Sequence, residues 1–327
     1  MPPESIAVSA RASEINLVGE TLPPLIAEAG ATARRRFVEY FTANIRNPNT
    51  RAAYAQAIAQ FCRWAEDRQL RLEGLNPVLI AAYVEELNAR RAAPTVKQHL
   101  AAVRMLFDFL VVGQVLPMNP AASVRGPKHV TKRGKTPVLT AEEARTLLDS
   151  IDLTNVMGLR DRALIGVMLY TFSRVSAAVG LNVADYYTIG RRSWIRLHEK
   201  GGKLHEVPAH HNAVLYLDEY IEELGETLVN DTPLFRSMIG RTGRLGPDRM
   251  HRVDALRMIK RRAEHAGISS RISCHTFRGT GITTYLSNGG TLEKAQAIAN
   301  HESAKTTKLY DRTRDELTLD EIERIVV

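Results

Sequence analysis

The sequence predicts a mainly α protein with a small β-sheet, arranged as two domains. Three observations carry this: apolar residues at helical spacing on both sides of residues 126–137, a single hairpin signature near residue 200, and a basic, Pro- and Gly-bearing stretch between the two helical parts. In the first part Tyr54, Ile58, Phe61 and Ala65 step by four, three and four, and Val96, Leu100, Val103, Leu106, Phe107 and Leu110 step likewise. Residues near 33–45 and 77–90 supply two further helices, the second with Leu79, Tyr83 and Leu87 on one face. These predict a four-helix domain over residues 31–125, preceded by residues 1–30 as an extension that is either flexible or a partner contact.

The stretch GPKHVTKRGKTP, residues 126–137, has no apolar periodicity and gathers Lys128, Lys132, Arg133 and Lys135 without one acidic residue, so it reads as a basic linker. The second domain, residues 138–327, opens with Thr140 and Glu143 spaced as a capping box, which predicts a helix from Ala141. A long helix over about 159–172 follows. Residues 194–198 and 204–208 then flank a Lys-Gly-Gly-Lys turn, the only clear β signal in the chain. Everything after this reads as helical: 211–224, 249–266, 275–287, 292–299, 304–310 and a C-terminal tail helix at 317–325.

Composition narrows the function. With 44% hydrophobic and 24% charged residues, 21 Gly and 14 Pro, the chain is an ordinary globular protein. Two cysteines, Cys62 and Cys274, make no disulfide framework and no zinc-type cluster, pointing to a reducing compartment; His198, His205, His210 and His211 lack the carboxylate or Cys spacing of a metal site. No apolar stretch approaches the roughly 18 residues of a membrane span, and residues 1–30 do not read as a signal peptide. The expected location is cytoplasmic. A net charge of +8 and a pI near 9.6 favour a polyanionic partner, since Lys and Arg placed against phosphates release condensed counterions.

The densest polar constellation lies in the last sixty residues. His275 and Arg278, three apart at the opening of a helix, project from one face beside its N-terminal amides as a candidate anion cradle. Asn300 tolerates the left-handed conformation that ends a helix, His301 emerges from the turn, and Ser303 can cap a short helix ending near Tyr310.

Arg174 in SRVSAAVGL, Lys200 in the Lys-Gly-Gly-Lys hairpin, His275-x-x-Arg278, and His301 nine residues before Tyr310 occur in an order and spacing that resemble the tyrosine recombinases, the phage-integrase-like family. The resemblance runs from about residue 33 to 327 and likens the four-helix part to that family's core-binding, SAM-like DNA-binding domain and the rest to its catalytic domain. It implies that Arg174 and Arg278 hold the non-bridging oxygens of a phosphodiester, that Tyr310 is the nucleophile giving a 3′-phosphotyrosyl link, and that His301 hydrogen-bonds the phosphate. His275 is the preferred general base and Lys200 the general acid, with Lys203 in reserve. No cofactor or metal is expected, because arginines and a lysine neutralise the developing charge. Two positions depart from the family pattern: Ala177 stands where many relatives have Glu, three residues after the first Arg, and Asn300 where many have Gly.

The implied partners are double-stranded DNA, three further copies of the chain in a homo-tetramer on two DNA sites linked by the tail helix, and accessory or sister recombinases. Lys128, Lys132, Arg133 and Lys203 are the candidate DNA contacts, with Arg51, Lys97 and Arg104 in the first domain and Arg252, Arg257, Lys260, Arg261 and Arg262 on one helix of the second as further basic residues. The expected function is site-specific recombination for integration, excision or resolution of a mobile element. The alternatives are a type IB topoisomerase-like enzyme and a DNA-binding architectural or regulatory protein whose catalysis has decayed.

Overall fold

The computed structural model describes residues 22–129, 134, 136–199, 202–225, 229–240, 242–268 and 271–311. It is mostly helical with two small antiparallel sheets, and it divides into two compact units, one ending at Val130 and the other beginning at Thr131. No helix among the described residues is long and apolar enough to cross a membrane.

In the first unit, α1 (Pro24–Ala27) and α2 (Ala31–Glu39) lead into one π-helical turn over Tyr40–Asn44, followed by α3 (Pro48–Glu66), α4 (Pro77–Arg90) and α5 (Ala93–Val112). Asn47 and Asn76 cap α3 and α4, each accepting from two backbone amides, and each is followed by a proline at the first helical position where no N–H is needed. The expected stripes meet in one core of Ile58, Phe61, Tyr83, Leu100, Val103, Leu106 and Phe107. Helix α1, inside the stretch read as an extension, adds Leu25 and Ile26 to that core. Two of the basic residues singled out in the sequence are spent internally: Arg51 donates twice to Ile45 O (3.0 and 2.8 Å), and Arg104 donates to Ala121 O (3.0 Å) and to Val124 O. Their guanidiniums close loops onto helices.

The second unit starts at α6 (Ala141–Asp149), where the Thr140–Glu143 capping box is formed in both directions. Helix α7 (Val156–Tyr170) is apolar around most of its circumference because it is the centre of this unit, packed by α9 (His211–Leu224) and α11 (Cys274–Ser287). A short helix α8 (Val175–Gly180) precedes an antiparallel sheet in the order β1 (Tyr186–Ile189), β2 (Arg192–His198), β3 (Leu204–Pro208), with Tyr187 opposite Trp194 and Leu197 opposite His205. The hairpin at 194–208 is as expected, but it is not the only β structure. Strand β1 extends it, and β4 (Arg236–Met238) pairs with β5 (Leu245–Arg249), in a region read as leading straight into a helix. That helix, α10 (Arg252–His265), therefore begins three residues later than predicted. The chain then runs through α11, α12 (Leu292–Ile298) and α13 (Ala304–Lys308); the tail helix expected at 317–325 lies outside the described residues.

One polar node fastens this unit. Asp161, fully buried on α7, accepts from Arg160 Nε and Nη2 (3.1 and 2.6 Å) on one oxygen and from Arg262 Nε and Nη2 (3.0 and 2.8 Å) on the other. Arg160 also donates to Arg236 O (2.9 Å), so α7, α10 and β4 meet there. Arg262, read from the sequence as one of a row of surface cations, is therefore a structural residue. Its neighbour Arg257 is exposed and pairs with Asp254 on its own helix.

Removing one partner from a buried, fully bonded ion cluster leaves uncompensated charge and costs about 3–5 kcal/mol. Asp161→Ala is expected to destabilise the second unit by that amount. Urea unfolding followed by Trp194 fluorescence in a Trp64→Phe background reads this unit alone; a loss below about 1 kcal/mol, the scale of an exposed pair, would contradict the role assigned to Asp161.

Candidate active site

Helix α11 opens with a reciprocal cap between Ser273 and Thr276, which places His275 and Arg278 on its first turn. Arg278 is 1% exposed. Its guanidinium donates to Phe172 O, just past the end of α7, and to Ala299 O (2.6 Å), at the end of α12. The last carbonyls of a helix have no intrahelical partner and carry the negative end of its dipole, so two helix C-termini supply the counterpart a buried cation requires. Two of the guanidinium's five N–H donors are used in this way, and Nε has no partner among the described residues. The remaining donors suit an anion.

The clamp depends on backbone at unusual angles. Phe172 and Asn300 both adopt positive φ, at 53° and 47°, and each reverses the chain directly after a helix. Asn300 matches the left-handed turn expected of it, whereas Phe172 has no such signal. Gly281 lies against Leu169 O and the Phe172 ring, where any side chain would collide.

Arg174 is the residue immediately before α8, with its carbonyl accepting from Ala177 N (2.9 Å) and Ala178 N (3.0 Å). Its side chain is 40% exposed, and Nη1 donates to Glu199 Oε2 at 2.7 Å. Glu199 follows β2, where its own N–H donates to Lys203 O (2.8 Å) and continues the hairpin by one step. Lys200, next along the chain, lies outside the described residues, as do Lys132 and Arg133. Lys128 is exposed. Lys203 is exposed too and donates to Glu302 Oε1 at 3.2 Å.

His301 and Tyr310 are 7% exposed each and stack with parallel rings, centroids 6.1 Å apart. His301 Nδ1 is 2.8 Å from Thr307 Oγ1 on α13, leaving Nε2 open. Tyr310 is anchored at its backbone, since its carbonyl accepts from Thr283 Oγ1 (3.0 Å) and Leu309 O accepts from Gly134 N (3.1 Å). Its phenol oxygen is 3.1 Å from His275 Nε2, at hydrogen-bond distance. Gly279 makes room for the ring, which would stand 3.3 Å from any Cβ there.

Electrostatics report the same convergence. Burial and then the charges of Arg278 and Arg174 hold His275 below the usual histidine range. The same causes in the same order, with His275 added, hold His301 at about 3. Arg278 is itself lowered to about 10, first by burial and then by Arg174, with Glu199 and Tyr310 acting in the opposite sense. Arg174, His275, Arg278, His301 and Tyr310 thus share one site.

Sequence reasoning missed Glu199, Thr307 and the two carbonyls that hold Arg278. Glu199 carried one signal: it is the acidic residue at the mouth of an otherwise basic turn, in a chain that has Ala177 where a carboxylate beside Arg174 was wanted. The carbonyls carried none, because a backbone acceptor has no residue type.

A family model described as Phage integrase family matches residues 137–316, and one described as Phage integrase, N-terminal SAM-like domain, matches residues 35–113. Tyrosine recombinase XerD of Chlorobaculum tepidum is 30% identical over 266 residues, covering 80% of this chain and 85% of the relative. Tyrosine recombinase XerD of Mycobacterium leprae is 34% identical over 228 residues, covering 68% and 70% respectively. Among solved structures, XerH site-specific recombinase bound to palindromic difH substrate shares the fold with a TM-score of 0.70 at 18% identity, covering 94% of this chain and 98% of that one. A lambda integrase tetramer bound to a Holliday junction does so with a TM-score of 0.68 at 18% identity, covering 92% and 85%.

The lowered histidines predict an acid limb in the stability of the second unit. The unfolded chain takes up a proton near pH 6.5 that folded His301 refuses until about pH 3, so stability is complete above 6.5 and falls as the pH drops through that window. His275 acts in the same direction. His301→Asn removes the titration, so the gap in melting temperature between wild type and variant is expected to narrow between pH 7.5 and pH 4. A gap that stays constant or widens would mean that the folded imidazole accepts the proton.

Proposed function

Because the chain belongs to the phage integrase family, we propose that it is a site-specific tyrosine recombinase that cuts and rejoins double-stranded DNA through a 3′-phosphotyrosyl link at Tyr310. The observation that carries this reading is the 3.1 Å hydrogen-bond contact between the Tyr310 phenol and His275 Nε2, beside two guanidiniums and a second imidazole. In it, the phenol oxygen attacks phosphorus as its proton passes to His275, and the bond from phosphorus to the 5′-oxygen breaks with that oxygen taking a proton from Lys200. Arg174 and Arg278 hold the non-bridging oxygens, where planar guanidiniums give paired, charge-assisted hydrogen bonds. His301 Nε2 adds a further bond. One diester is exchanged for another, so the reverse attack by a DNA 5′-hydroxyl rejoins strands and no energy source is consumed.

The depressed histidines fit this sequence of events. Without DNA, the two arginines disfavour a proton on His275, which keeps it a neutral acceptor. A phosphate drawn between those arginines offsets their charge and raises the affinity of His275 for the phenol's proton at the moment it is needed. Base strength is supplied by the substrate.

Recombination joins two DNA sites, which calls for four copies of the chain, and a cytoplasmic location is the reading that fits a DNA substrate. The lambda integrase tetramer on a Holliday junction, whose fold this chain shares, supports that assembly. Lys128, Lys132, Arg133 and Lys203 are assigned to the phosphate backbone, and integration, excision or resolution of a mobile element is the expected outcome.

Nicked suicide duplexes that lose a short strand on cleavage trap the intermediate. Wild-type protein is expected to form an adduct resistant to SDS on DNA carrying its site, Tyr310→Phe none, and Arg278→Ala one formed about 10²–10³-fold more slowly, the usual cost of deleting one preorganised donor. An adduct in Tyr310→Phe overturns the nucleophile. Absence of adduct with wild type across a library that includes the DNA flanking its own gene overturns the function.

A further inference from the structure

The geometry points to Glu199 as the positioning residue for Arg174: a buried carboxylate on the β2–β3 hairpin that aims one guanidinium at the scissile phosphate and holds it beside a second of like charge. This rests on the recombinase reading and adds to it a group in no expected site set.

Four observations support it. The Glu199 side chain is 3% exposed, yet its one ionic partner among the described residues is Arg174, 2.7 Å away. A carboxylate withdrawn from water this far is stable only when paired and hydrogen-bonded. Second, both backbones are held: Glu199 by its pairing to Lys203 O, and Arg174 by accepting the first amides of α8. The pair therefore joins two fixed points, and the long Arg174 side chain is confined to one direction although 40% of it faces solvent. Third, among the described residues Nη1 alone is engaged, so the other edge of the fork stays free for an anion. Fourth, Arg174 and Arg278 repel each other across the site, and Glu199 is the negative group that counters this at Arg278.

Position 177 gives the pairing its significance. Ala177 is buried on the first turn of α8, three residues after Arg174, and brings no carboxylate to it. The chain supplies one from the hairpin. Because Glu199 immediately precedes Lys200, the arm proposed to donate the leaving-group proton also aims Arg174. A hairpin out of place would disable both at once.

The test is single-turnover cleavage of nicked suicide DNA by the full chain. The set comprises wild type, Glu199→Gln, Glu199→Ala, Arg174→Ala and the double variant Arg174→Ala/Glu199→Ala, with gel-shift affinities alongside. Glu199→Ala is expected to cleave roughly 100-fold more slowly, the cost of about 1 Å of misplacement, while its DNA affinity stays near that of wild type. Glu199→Gln, which keeps the shape and one hydrogen bond, should fall between them. In the Arg174→Ala background the second substitution should add nothing, because groups that act as a unit are non-additive. A methylphosphonate at the scissile position has no charge on the replaced oxygen, and on it Glu199→Ala should cleave at the wild-type rate. Full multiplication of the two losses in the double variant, or no recovery on methylphosphonate, would make Glu199 a general structural residue and overturn the proposal. Wild-type cleavage matched by Glu199→Ala overturns it alone, whereas failure of wild type to cleave removes the recombinase reading itself.

Discussion

The constraint on which the second unit turns is the burial of Arg278. A guanidinium at 1% exposure is costly unless its charge is met, and here it is met by backbone carbonyls at the ends of α7 and α12. That arrangement requires each helix to stop where it does and the chain to turn away at once, which is why Phe172 and Asn300 take positive φ. It also requires α11 to approach α7 closely, which Gly281 permits. The residue that would grip a phosphate is thus the one that locks three helices together. Using carbonyls instead of carboxylates for that lock leaves the positive charge of Arg278 unspent.

An unspent charge has consequences for its neighbours. Arg174 and Arg278 face the same space, and both imidazoles there are held below their ordinary range, His301 most strongly. The site without DNA is therefore over-positive by construction, and an entering phosphate relieves repulsion while it makes new hydrogen bonds. Glu199 limits the repulsion without cancelling it. Were it to bind both edges of the Arg174 fork, the anion would be excluded; binding through Nη1 alone leaves the other edge available.

Local signals in the sequence carried far. The Thr140–Glu143 box, the left-handed Asn300, the Ser303 cap and the stripes of α3 and α5 are each determined by residues within a turn or two of one another, and each is present. What depended on distant partners was not legible. Strands β4 and β5 lie in a Gly- and Arg-rich segment without alternation, and their ends are tied to the rest of the unit by distant partners, Arg160 donating to Arg236 O and Arg249 donating to Val179 O and Leu181 O. Helix α8 has six residues, too few to show a period. The basic residues were the hardest to assign: Arg51, Arg104, Arg160, Arg249 and Arg262 all serve carbonyls or buried acids. Composition reports how many cations a chain has but not which of them face water.

The hairpin shows how local and long-range constraints combine. Its strands and turn follow from the sequence, yet its place is set by contacts with the segment that carries His301. His205 donates from Nε2 to Ile298 O (3.0 Å), at the end of α12, and Lys203 reaches Glu302. The exposed pair contributes little, but the half-buried histidine is directed at a helix-terminal carbonyl that has no intrahelical partner. Through it the strand behind Glu199 and Lys200 is tied to the loop that presents His301, and through Thr307 to α13, which ends two residues before Tyr310. The β2–β3 hairpin and the loop between α12 and α13 therefore support one another. A displacement of either is transmitted to the aim of Arg174 on one side and to the stacked His301 and Tyr310 rings on the other, so the site assembles as a whole or not at all.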